Sequence, residues 1–85
     1  MIEYQTEMTA KCPVDGTTDN YTVTITTNTM IPVETINKIL SLYKDLTIYQ
    51  EQLTVYLANI LRAEIRTVGH HRNVKITATA TPPSI

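Results

Sequence analysis

Apolar and polar positions alternate in parts of this 85-residue chain and recur at helical spacing in others. In YTVTITTN, Tyr21, Val23 and Ile25 fall on one side and Thr22, Thr24 and Thr26 on the other. That period of two predicts a half-buried strand. IEYQTEMTA, from Ile2, alternates more loosely and predicts a strand before it. Between the two, KCPVDGTTDN holds Pro13, Gly16 and several Asp and Asn residues, which supply bends and predict a loop. Val33, Ile36, Leu40 and Tyr43 then recur at helical spacing, with Ile39 on the same face. Glu34, Asn37, Lys38 and Ser41 lie between them, so a helix is expected over roughly 33–45. YQEQLTVYLANILRAEI predicts a second helix, with Leu53, Tyr56 or Leu57, Ile60 and Leu61 as its apolar face. EIRTV and NVKITATA read as strands, with Gly69 to Asn73 (GHHRN) as the turn between them, and TPPSI is a stop.

The order is strand, strand, helix, helix, strand, strand: one α+β domain over residues 1–85. Strands adjacent in sequence are joined by short turns, so the sheet is expected to be antiparallel. Both helices cover one face, and Thr22, Thr24, Thr26, Thr77 and Thr79 line the other. Two unprotected sheet edges invite pairing with further copies. Size points the same way, because a chain this short buries only about 60–65% of its unfolded surface. It lies just above the length at which small scaffolds need a disulfide, a metal or a partner. One cysteine forms no internal disulfide, and no Cys/His cluster has zinc-finger spacing. Self-association is the remaining staple, and a homo-oligomer is expected.

The formal net charge of −1 advertises no basic field for nucleic acid. Apolar runs of a few residues predict no membrane span. MIEYQTEMTA lacks the basic region and apolar core of a signal peptide, and a lone reduced cysteine suits the cytoplasm. His70 and His71 tempt a metal reading, but adjacent turn residues point apart and no second cysteine completes a site. With Arg66, Arg72 and Lys75 they form a solvated surface or a small phosphate-contacting patch.

Cys12, in KCPVDGTTD, has two readings. As a free cysteine it is a small apolar filler; with Asp19 downstream as proton donor it is a nucleophile. Residue types alone favour the filler.

Two further stretches bear on that choice. YQEQLT opening the second helix, within the ββααββ order, resembles the tunnelling fold (T-fold) of pterin- and deazapurine-processing enzymes. The GTP cyclohydrolases of that fold carry a very similar Gln-Glu-x-Leu-Thr, matched here by Gln50, Glu51, Leu53 and Thr54, and INKILSLYKDL resembles their first helix. CPVDGTTD resembles the Cys-Pro-x-x-Gly-x-x-Asp of the QueF nitrile reductases, at Cys12, Pro13, Gly16 and Asp19. The resemblance implies a four-stranded antiparallel sheet with two helices on one face, closing into a barrel with other copies and holding sites between subunits. It also implies a substrate, 7-cyano-7-deazaguanine. Cys12 then attacks the nitrile carbon to give a thioimide, and Asp19 delivers a proton to the nitrile nitrogen. Glu51 anchors the base, since a carboxylate accepts from two parallel donors. Gln50 stands where the reductases usually have histidine, and with Glu34 it is a further candidate for substrate contact.

The cofactor stretch of the reductases, roughly Glu-Ser-Lys-Ser-x-Lys, is represented here by VETINKIL. Glu34 matches, Thr35 replaces serine, Ile36 stands where a lysine belongs, and Lys38 is a shifted substitute. A nicotinamide dinucleotide phosphate needs cations to hold its charges. The pattern therefore resembles the small QueF-like archaeosine synthases, in which ammonia attacks the thioimide and a nitrile becomes an amidine on the 7-deazaguanine of tRNA. No cofactor is expected on this reading, with ammonia as co-substrate. The metal of the zinc-type GTP cyclohydrolases, held by two cysteines and a histidine, is not expected either. The alternatives are an NADPH-dependent 7-cyano-7-deazaguanine reductase of queuosine biosynthesis, using Lys38, and a non-catalytic deazapurine-binding T-fold protein. The substrate is the free base, a nucleotide, or a deazapurine in tRNA or DNA.

Overall fold

The computed structural model describes residues 1–83; Ser84 and Ile85, which end the predicted stop, lie outside the described residues. Its elements run β1 (Ile2–Lys11), β2 (Thr18–Thr27), α1 (Val33–Tyr43), α2 (Gln50–Leu61), β3 (Glu64–His71) and β4 (Val74–Ala80). The strands form one antiparallel sheet in the order β1-β2-β3-β4. This is the expected α+β, ββααββ arrangement. Val23 pairs with Thr6 and Thr67, and Ile25 with Tyr4 and Ile65, so one face of three strands is shared in register. Val23, Ile25 and Ile65 on that face, with Leu53 and Leu57 of α2, are the deepest apolar side chains. Burying each contributes about 1.5–3 kcal/mol. On the opposite face Thr22 and Thr26 are half-buried and Thr77 and Thr79 exposed, as the alternation implied. Thr24 is nearly buried there, with Gln5 Nε2 at 3.4 Å from its hydroxyl.

Five local expectations are corrected. The loop before β2 is shorter than KCPVDGTTDN, because Thr18, Asp19 and Asn20 already pair with Lys11, Ala10 and Thr9. Its bends fit between Cys12 and Thr17: Cys12 N–H donates to Thr17 O at 2.8 Å, and Gly16 N–H to Cys12 O at 2.9 Å. The first helix stops at Tyr43 rather than 45, since Lys44 is extended and Asp45 takes a left-handed φ of 63°. Val33 of its expected apolar face stands exposed, just after Pro32, and Ile36 and Leu40 carry the contact.

In α2 the buried stripe is Gln50, Leu53, Thr54, Leu57, Ala58 and Leu61. Leu57 rather than Tyr56 faces the sheet, and Ile60 is 47% exposed. Hydropathy misplaces the stripe because two of its members are polar. Lastly, GHHRN is not a loop. Gly69, His70 and His71 pair with Ile76, Lys75 and Val74, leaving Arg72 and Asn73 as the turn. Arg72 there takes a left-handed φ of 58°. Gly69 serves a packing need instead of a bend: a Cβ added there would meet the Tyr21 ring at 2.6 Å.

Beyond α1 the chain returns to the end of β1. Lys11 N–H donates to Leu46 O at 2.9 Å, and Ile48 N–H to Lys11 O at 3.1 Å. This short parallel bridge holds the start of α2 beside the residue that follows β1, which is Cys12. Among the described residues no helix is long and apolar enough to cross a membrane.

Candidate active site

Four parts of the chain converge at the end of the sheet where β1 gives way to the Cys12–Thr17 loop. The loop contributes Cys12, Pro13 and Val14; β2 contributes Asp19 and Tyr21. The start of α2 contributes Tyr49, Gln50 and Glu51, and the β3–β4 hairpin contributes His70, His71 and Ile76. Together they line a cavity of about 160 Å³. Cys12, Asp19, Gln50 and Glu51, named from the sequence, are thus brought together. Glu34 and Lys38 are not: both lie exposed on α1, and neither lines the cavity.

Cys12 is 6% exposed and free, at the margin between filler and wall. The backbone on either side of it is fixed by the loop's two hydrogen bonds. Gly16 closes the loop with a φ of 73°, the left-handed region that glycine enters without a Cβ clash. Asp15 ties it further, its Oδ1 accepting from Thr17 N–H at 3.0 Å and from Thr17 Oγ1 at 2.7 Å. Those two bonds hold the Asp15 carboxyl below its ordinary value, with smaller help from the Cys12 thiol and the charge of His71.

Asp19 is half-buried on β2, and Tyr21 stands two residues on, on the same side of the strand. The Tyr21 hydroxyl lies 3.4 Å from Asp19 Oδ2. Burial, then the charge and hydrogen bond of Asp19, push the phenol up to about 12; Cys12 and Glu51 add to the shift. Tyr21 is therefore a phenol, not a phenolate, at any neutral pH.

Gln50 has a structural task. Its Nε2 donates toward Thr67 O at 3.1 Å, Thr67 Oγ1 at 3.1 Å and Ile76 O at 3.0 Å. Thr54 Oγ1 donates to Gln50 O at 2.7 Å, so at its 2.7 Å contact with Thr67 it is the Thr67 hydroxyl that donates. The ring of bonds closes, and among the described residues no buried side-chain nitrogen or oxygen lacks a partner. With its amide hydrogens committed to the sheet, Gln50 has only Oε1 to offer a ligand. Glu51, next along, is exposed in the first turn of a helix with no side-chain cap, a position that favours a carboxylate.

The lining joins a thiol, two carboxylates, two phenols, two imidazoles and an amide, without lysine or arginine. Such a set suits a neutral heterocycle that presents N–H donors, with a carboxylate pair to receive them. Its volume is about half the lower bound of drug-sized pockets, about 300 Å³. Among the described residues no three His, Cys, Asp or Glu side chains are placed to hold a metal ion. The sequence does not single out Tyr21 and Tyr49 as ligand contacts, and it offers His70 and His71 only as part of a surface or phosphate-contacting patch. Tyr21 reads as a core residue in an alternating strand. The histidines read as turn residues, and only the two-residue hairpin brings them to the cavity.

No family model matches the chain, and no curated protein matches it in sequence. A solved structure does: the archaeosine synthase QueF-Like in the apo form superposes with a TM-score of 0.87. The match covers 99% of this chain and 94% of that one, at 17% identity. The chain therefore has the T-fold of the QueF-like proteins.

Proposed function

We propose that the protein is a QueF-like enzyme that forms a thioimide between Cys12 and the nitrile of 7-cyano-7-deazaguanine, and that ammonia converts this to an amidine. One observation carries the reading: Cys12, Asp19 and Glu51, from a loop, a strand and a helix, line one small cavity. The fold shared with an archaeosine synthase supports it. In the first step the Sγ–H bond is exchanged for Sγ–C while the nitrile nitrogen gains the proton through Asp19, so nothing leaves. Glu51 accepts from the ring N–H and exocyclic amine of the base. Ammonia then adds to the thioimide carbon, and Cys12 departs as the thiolate.

The departure from the reductases' cofactor stretch, with Ile36 where a lysine belongs, supports ammonia over NADPH as the second reactant, because a dinucleotide phosphate needs cations. Lys38, the substitute cation, is exposed on α1 and does not line this cavity. We further propose that β1 and β4 pair with other copies, so that a barrel forms and subunits complete one another's sites. The base arrives free or within tRNA, and a reducing cytoplasm suits the thiol nucleophile. The test is the mass of the product. With the nitrile base and ammonium we expect a gain of one ammonia, and with NADPH no oxidation above background. Two equivalents of NADPH consumed per base would instead make the protein a reductase. Turnover by Cys12→Ala equal to that of the wild type would remove the thioimide altogether.

A further inference from the structure

Tyr21 is the phenol that the reaction above leaves without a task. It is 5% exposed, its ring rests against Gly69, and its hydroxyl reaches toward Oδ2 of the proton-carrying Asp19. We propose, resting on the thioimide reading, that Tyr21 is a positioning residue. Its hydroxyl donates to Oδ2 of Asp19 and so reserves Oδ1 for the proton that passes from the Cys12 thiol to the nitrile nitrogen.

One general rule and two observations support this. A carboxylate free to rotate presents either oxygen, and a donor fixed on one of them selects the other. The phenol is fixed at its ring: any side chain at position 69 would strike it, with a Cβ at 2.6 Å from Cδ1 and 2.7 Å from Cε1. Gly69 thus creates the space in which Tyr21 stands. The phenol also stays protonated, being held near 12 by burial and by Asp19, so it donates throughout the working range of an enzyme. At 3.4 Å the contact is longer than a formed O–H···O bond of about 2.5–3.0 Å. Catalytic bonds are often long before substrate binds and shorten in the complex.

The step balances without a further reactant. Sγ–H breaks, Sγ–C forms, one nitrile π bond becomes N–H, and Asp19 ends in the state in which it began. The other titratable groups lining the cavity are Cys12 from the loop, Tyr49 just before α2, Glu51 from α2, and His70 and His71 from β3.

Tyr21→Phe tests the proposal, because it keeps the ring on Gly69 and removes only the donor. Carboxyl-labelled aspartate followed by NMR reads Asp19 directly. Its carboxyl chemical shift should move in Tyr21→Phe, since Oδ2 loses its donor. With the nitrile base, thioimide formation should slow roughly tenfold, the scale of one hydrogen bond to a charged group. An Asp19 carboxyl resonance unchanged by the substitution overturns the proposal, and so does an unchanged rate of adduct formation. A wild-type chain that forms no thioimide counts against the function proposed above. A shifted Asp19 carboxyl resonance in that same experiment would still support the Tyr21–Asp19 contact. A purely structural tyrosine would move stability but not the carboxylate.

Discussion

Asp15 and Asp19 stand in one hairpin and meet different fates. Asp15 is solvent-exposed and spends its carboxylate on the loop, accepting twice from Thr17. Because those bonds lower its pKa from 3.8, their stabilisation is complete above that value and fades as pH falls through the lowered one. Urea midpoints measured down through this range should drop for the wild type more than for Asp15→Asn, which has no carboxyl to protonate. Tyr21 carries the opposite sign. Its phenol is raised from 10.0 to about 12, so its stabilisation is complete below pH 10 and is lost as pH climbs toward 12. Tyr21→Phe should be flat across that window, and a parallel loss in both proteins would refute the assignment. Cys12, Asp19 and Glu51 were legible in the sequence because each sits in a short motif with fixed spacing. Tyr21 was not, since an aromatic in an alternating strand looks the same whether it fills a core or walls a cavity. Gln50 was half legible: its place at the site could be read, but its bonds to Thr67 and Ile76 depend on a sheet register that only the structure supplies.

Helix α2 shows how a polar seam organises an apolar element. Gln50 and Thr54 lie on its buried stripe and bond to β3 and β4, so α2 is registered on the sheet by directional bonds as well as by Leu53 and Leu57. Gln50→Leu keeps the volume but strands Thr67 O and Ile76 O, and should destabilise the fold by about 2–3 kcal/mol. A urea midpoint within error of the wild type would show the seam to be dispensable. The far end of α2 offers the reverse case. Arg62 caps it in a left-handed conformation, φ 55° and ψ 44°, which side chains with a Cβ adopt at a cost of about 1–2 kcal/mol. Part of that is offset by the unfolded-state entropy of glycine, so Arg62→Gly should stabilise by about 0.5–1 kcal/mol, read from the thermal midpoint. All six elements were legible from period alone. Their ends and faces were less so, because Thr18–Asn20 and Gly69–His71 carry turn-rich composition yet join a ladder whose partners lie in neighbouring strands.

At the scale of the whole molecule, two features have one physical origin. A sheet with open edges at β1 and β4 leaves backbone donors and acceptors unpaired, and copies of the same chain are the simplest partners. The cavity is small and lies where loop, strand, helix and hairpin meet, and in the proposed assembly a neighbouring copy completes its mouth. Light scattering at micromolar concentration should return a homo-oligomer, and a stable folded monomer would contradict that closure. The central claim is chemical, and it rests on Cys12. The most direct measurement is the intact mass of the chain after incubation with 7-cyano-7-deazaguanine, without ammonium. Addition without a leaving group predicts a gain equal to the whole mass of the base in the wild type and none in Cys12→Ala. A wild-type chain of unchanged mass, or an adduct that survives Cys12→Ala, would contradict the account.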